Sequence, residues 1–117
     1  MPHALESERL VLGVILLLNE TLSQAAEKLT PSDFFSQPNA KIYREMLKMG
    51  SEGCAIDPVT LQDRLRRGGE LEEVGGAAYI ASLFDGVPRF SNIRNYVAVV
   101  KDRAVARQLI KIGSSVS

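Results

Sequence analysis

At 117 residues, with 45% apolar and 24% charged side chains, only five prolines and no biased tract, the chain has room for one ordered domain that buries about two thirds of its unfolded surface. Fourteen basic and fourteen acidic side chains cancel, which excludes the surplus of Lys and Arg on which nonspecific nucleic-acid binding depends. Cys54 is the only cysteine and His3 the only histidine, so an intrachain disulfide, a tetrahedral Cys/His zinc site and histidine-dependent nucleophilic or acid–base chemistry are excluded, with His3 expected in a frayed tail.

The first predicted helix runs from Glu6 to Leu18 and is apolar on every side, the mark of a helix enclosed by others. Its "LVLGVILLL" run is about half the length that spans a bilayer, and Glu6 and Glu8 stand where a signal peptide would be basic, so a cytosolic address is expected and no membrane contact. Gly13 inside it implies close backbone contact with a neighbour, and Asn19 can end it. Thr21 with Gln24 fits a capping box that opens a short helix, with Leu22, Ala25, Ala26 and Leu29 facing inward. Thr30-Pro31 repeats the start signal for a turn whose Phe34 and Phe35 are both expected to plug the core. A helix over Pro38 to Met49 pairs Ile42 with Met46 and Tyr43 with Leu47, and Gly50 and Gly53 end it.

"IDPVTLQDRLRRGG" carries the clearest start signal: Asp57 caps, Pro58 takes the first helical position, Ile56 staples onto Leu61, and Leu61 and Leu65 form the buried stripe. The glycine pairs of "RRGGELEEVGGAAYI" suggest a phosphate loop, but lysine and hydroxyl are missing and Glu70, Glu72 and Glu73 would repel a pyrophosphate. Gly68-Gly69 and Gly75-Gly76 therefore read as punctuation around a short turn with Leu71 and Val74 inward. Pro88 breaks the chain, and Ser91 can cap a final helix over Asn92 to Ile112, about 30 Å long. Ile93, Val97, Val100 and Ala104 line one of its faces, while Tyr96, Val99, Leu109, Ile110 and Ile112 widen the apolar surface. A helix apolar on more than one side near its end is expected to need a partner there.

Charge is uneven: residues 1–60 hold five basic and eight acidic groups, residues 61–117 nine and six. The positive half is either a partner surface or a solvated face. The same two readings hold for Arg103, Arg107 and Lys111, which recur every four residues on one side of the last helix and would otherwise meet an acidic partner or phosphates. Tyr96 is either a core tyrosine with its hydroxyl at the surface or an interface anchor. No period-two run and no repeat appears, so the fold class is all-α: a compact bundle of five or six helices, then a long helix.

The succession "ESERLVLGVILL", "DFFSQPNAKIYREM", "IDPVTLQDRLRRGGELEEVGGAAYIASL" and "VPRFSNIRNYVAVVKDRAVARQLI" resembles the N-terminal domain of the bacterial replicative DNA helicase, the DnaB family, over roughly residues 6–112. One departure is Asn39, where the family commonly has histidine; if that histidine caps the third helix, asparagine can do the same. The resemblance implies a globular head over 1–90 and, over 91–117, the first arm of a helical hairpin. Copies would pair through hairpins and build a hexamer as a trimer of dimers. Primase would dock on this collar, helicase loaders on the full-length protein, and single-stranded DNA would be engaged only by the whole ring. ATP and Mg belong to a C-terminal domain absent from this chain, so no catalytic, cofactor or metal site is expected here. The resemblance makes Tyr96, Val100, Arg103, Arg107 and Ile110 the residues for self-association or primase contact, and Asp57, Pro58, Gly75 and Gly76 structural. Two other readings stand beside it: a free-standing helical adaptor or a primase's own helicase-binding domain, against which "LEEVGGAAYI" argues, and a small carboxylate enzyme, disfavoured because adjacent Glu72 and Glu73 point in different directions.

Overall fold

A computed structural model describes residues 2–88 and 92–116, with side chains over 4–88 and 92–111. The described residues form six α-helices and no strand: α1 (Pro2–Leu17), α2 (Leu22–Ala26), α3 (Gln37–Ser51), α4 (Pro58–Arg67), α5 (Gly76–Asp85) and α6 (Ile93–Val116), with 3₁₀ turns at Asn19–Thr21 and Pro31–Asp33. The all-α class read from the sequence is what is found.

α1 is the centre of the bundle, with α5, α6 and α3 packed around it. Val11, Leu12, Val14, Ile15 and Leu16 are all buried, the all-round burial its apolar sequence demands, and only Leu17 and Leu18 emerge at the end. It starts at Pro2 rather than Glu6, which puts His3 inside the helix and not in a loose tail. A Cβ on Gly13 would lie 2.4 Å from the Leu83 carbonyl oxygen and 2.7 Å from Val87, so α1 and α5 touch at backbone distance here. Asn19 closes the helix through tertiary bonds: its Nδ2 donates to the Ile15 and Ile56 carbonyls at 2.8 and 2.7 Å, and its Oδ1 accepts from the Ile56 N–H at 2.9 Å.

Four local expectations give way to packing. The Thr21 hydroxyl donates back to the Leu18 carbonyl at 2.7 Å instead of forming a capping box, and Ala26 faces solvent because α2 is too short to bring a second small residue inward. Gly50 lies within α3, where a Cβ would meet Leu22 Cδ2 at 2.6 Å; the left-handed turn comes later, at Gly53. Ser36, not Asn39, caps α3, accepting the Asn39 N–H at 3.3 Å. Ile42, Tyr43, Met46 and Met49 then carry the buried stripe.

α4 begins as the sequence implies. Asp57 Oδ1 accepts the Thr60 N–H at 2.8 Å, Thr60 Oγ1 accepts the Asp57 N–H at 3.1 Å, Pro58 opens the helix, and Ile56, Leu61 and Leu65 are buried. Arg64 fixes α4 on α3 through Glu45 at 3.0 Å and through both oxygens of Glu52, whose carboxyl it holds below the usual range. Gly68 ends the helix in a right-handed conformation and Gly69 takes the left-handed one. Gly75 and Gly76 both have positive φ, and a Cβ on Gly75 would strike Tyr79 Cβ at 2.8 Å, so the second pair is required by geometry.

The helix start expected at Ser91 lies outside the described residues. Asn92 Oδ1 accepts the Arg94 N–H at 3.0 Å and supplies a cap for α6. Ile93, Val97, Val100 and Ala104 are buried, the face read from their spacing. The first three belong to the same buried cluster as residues of α1, α3 and α5. α6 runs on to Val116, and the molecule is 47 Å long but only 33 and 26 Å across.

Candidate functional site

The most organised polar feature lies where α1, α5 and the start of α3 meet. Glu8 is 1% exposed, and its carboxylate accepts the Phe35 N–H at 2.6 Å, the Ser36 N–H at 3.2 Å and Asn39 Nδ2 at 3.0 Å. Asn39, 2% exposed, accepts a short bond from the Tyr79 hydroxyl on its other side. Burial pushes the Tyr79 phenol up and the Glu8 charge adds to that, against opposing contributions from Arg9 and the Asn39 bond. A buried carboxylate is tolerated only when its lone pairs are used, and here they are used on the backbone of the 34–36 turn. Asn39 is thus structural, as expected, but as the middle of a network and not as a helix cap.

The turn that Glu8 grips separates two rings. Phe34 is buried, tilted against Tyr43 with centroids 4.8 Å apart. Phe35 is not a core plug: it is 59% exposed, because adjacent residues of an extended turn face opposite ways. Over its ring lies the Arg107 guanidinium, 5.5 Å from the centroid, while Nη2 of the same arginine donates to the Asp33 carbonyl at 2.8 Å. Lys101 reaches the Asp33 carboxylate at 3.3 Å. Ala4, Phe35, Arg103, Ala106, Arg107 and Ile110 enclose a groove of about 280 Å³.

Four of the five contact residues expected from the sequence converge on one flank of α6. Tyr96 is half-buried against the core, Arg103 is exposed, Arg107 is half-buried over Phe35, and Ile110 is 69% exposed. Val100 is the correction: at 1% exposure it belongs to the core, since the α6 face that includes it is the one laid on α1. Phe35 and Glu8 were missed as site residues. Glu8 stands between Glu6 and Arg9 at the start of α1, and only its register with the buried side sets it apart from them; Phe35 carried no signal, because an aromatic pair does not say which ring turns out. Asp57, Pro58, Gly75 and Gly76 hold elements in place, and Cys54 is exposed.

The second glycine pair is no phosphate cradle, because the Glu72 carboxylate lies 3.7 Å from where a Gly76 Cβ would be. Among the described residues no group of His, Cys, Asp and Glu could hold a metal ion, and no helix is long and apolar enough to cross a membrane. At about 280 Å³ the groove falls below the roughly 300–1,000 Å³ of small-molecule sites and suits one or two side chains of another protein.

The described residues thus form an all-α head with an outward-facing ring and one protruding helix. Comparison with known proteins makes the class particular. The family profile described as "DnaB-like helicase N terminal domain" matches residues 1–102, and the chain belongs to that family. It is similar to the replicative DNA helicase DnaB of Buchnera aphidicola, 38% identical over 116 residues that make up 99% of this chain and 25% of that protein. The corresponding helicase of Treponema pallidum is 40% identical over 111 residues, 95% of this chain and again 25% of the relative. The chain therefore spans about a quarter of the length of these relatives. Among solved structures, the N-terminal domain of DnaB helicase from Mycobacterium tuberculosis superposes with a TM-score of 0.90 at 33% identity, covering 94% of this chain and 80% of that one. The N-terminal domain of DnaB helicase from Helicobacter pylori, described together with its interactions with primase, gives 0.83 at 26% identity, with coverage of 97% and 88%.

Proposed function

We propose that this chain is the assembly and docking domain of a hexameric, ATP-dependent replicative DNA helicase that works in the bacterial cytoplasm at the replication fork. The observation that carries the reading is the second half of α6. Beyond Ala104 it leaves the core and exposes Val105, Leu109 and Ile110, an apolar surface that a free helix end does not keep without a partner. Self-association through a hairpin begun by α6, and a trimer of dimers above it, would bury that surface. The Helicobacter relative, studied with primase, supports primase as a second partner. Loaders, and single-stranded DNA, would meet the whole ring and not this domain alone. ATP and Mg belong to the C-terminal domain; the residues present do not fit a nucleotide, because a carboxylate sits at the only glycine pair that opens a helix.

The test is a sedimentation series of this chain, alone and with the helicase-binding domain of a cognate primase. Reversible self-association and a primase complex are expected. A strict monomer that also ignores primase at high concentration would remove the docking reading.

A further inference from the structure

We propose that the groove between Phe35 and α6 receives an apolar helix with acidic flanks, donated by a partner protein and not by a second copy of this chain. The inference rests on the docking reading above and adds where the partner sits and what chemistry it carries.

At 100° per residue, Arg103, Ala106, Arg107 and Ile110 fall on one side of α6, while Val105 and Leu109 fall on the other. Ile110 is 69% exposed on the first flank and Leu109 64% on the second, and the two side chains diverge. One antiparallel helix can cover only one of these flanks. On the Val105–Leu109 flank Asp102 adjoins Lys101, which is paired with Asp33, so no cationic surplus stands beside the apolar pair and the flank suits a plain hairpin arm. The other flank is a built groove.

Its construction is rigid. Glu8 fixes the Phe35 N–H, Arg107 covers the Phe35 ring, and the Asp33 carbonyl holds Arg107. An exposed ring held this way can act as an anchor without the entropy cost of ordering it on binding. Its charge is one-signed. Arg103 and Lys111 have no carboxylate partner among the described residues, and Arg107 is bonded to a neutral carbonyl. Over residues 93–116 there are five cations and one anion. A second α6 laid here would bring the same sign, whereas a helix with Glu or Asp beside its apolar residues would neutralise Arg103, which lines the groove, while filling it.

Two synthetic helical peptides with the same Leu and Phe spacing, one flanked by Glu and one by Lys, provide the probe. Each is titrated into this chain and followed by ¹⁵N–¹H shift mapping. The Glu peptide is expected to bind at least about tenfold more tightly and to weaken with salt, with shifts centred on Ala4, Phe35, Ala106 and Ile110. Arg103→Glu, at an exposed position, should keep the melting curve and reverse the preference. Equal binding of the two peptides, shifts on the Val105–Leu109 flank, or groove shifts produced by dilution of the chain alone would each overturn the proposal. Primase titrated onto the same variants separates the two readings. If primase binds wild type and Arg103→Glu alike, docking stands and the groove falls; if primase ignores wild type while the Glu peptide binds with its charge preference, docking falls and the groove stands.

Discussion

Glu8 acts as an acceptor of N–H bonds and not as half of an ion pair. Replacing it by alanine strands the partly buried Phe35 and Ser36 N–H groups and one buried donor of Asn39, which should cost roughly 2–4 kcal/mol. Urea unfolding measures this directly, and an unchanged midpoint would mean that water replaces the carboxylate without loss. Tyr43 makes a prediction of a different kind. Burial, with the nearby Asp33 charge adding to it, raises its phenol from 10.0 to about 12, and its hydroxyl donates to the Leu29 carbonyl at 2.9 Å. The folded chain therefore keeps a proton that the unfolded chain has lost between these values. Stability is complete below about pH 10 and falls as pH rises towards 12, by about 3 kcal/mol in all. Tyr43→Phe should reduce that alkaline slope in denaturation series at fixed ionic strength, leaving the part that the raised Tyr79 phenol contributes, and a slope unchanged in the variant would assign it to other groups.

Among the elements, α6 changes character along its length, and paired substitutions expose the change. Val100→Asp buries an unpaired charge against α1 and should cost more than about 3 kcal/mol, enough to unfold much of the population. Ile110→Asp should leave the circular-dichroism melt within about 0.5 kcal/mol of wild type while weakening self-association or primase binding. If both variants unfold alike, the far half of α6 is core and not surface. The sequence showed much of this helix: the spacing of Ile93, Val97, Val100 and Ala104 named its buried face correctly. It also named the start of α4, since Asp57-Pro58 is a local signal that depends on nothing distant. Contacts between distant residues were not legible. That Gly50 makes room for Leu22 and that Asn39 serves Glu8 and Tyr79 both depend on which helices meet. Val100 stood both on that buried face and among the contact residues that the resemblance implies, and its burial against α1 decides for the core.

For the whole molecule, the balance of fourteen cations against fourteen anions predicts that the isolated chain binds single-stranded DNA more weakly than roughly 10⁻⁴ M at physiological salt, despite the local surplus on α6. Fluorescence anisotropy with a labelled oligonucleotide checks this, and micromolar, salt-sensitive binding would show that the α6 cations act as a nucleic-acid track. The segment from Asp33 to Ser36 has a further, mechanical consequence. Glu8 on α1 grips two of its amides, while Lys101 and Arg107 on α6 grip the carboxylate and carbonyl of Asp33. It is therefore a rivet through both helices. Sliding α6 along α1 would have to break these bonds together, so a load on the far half of α6 is passed to the head through this segment.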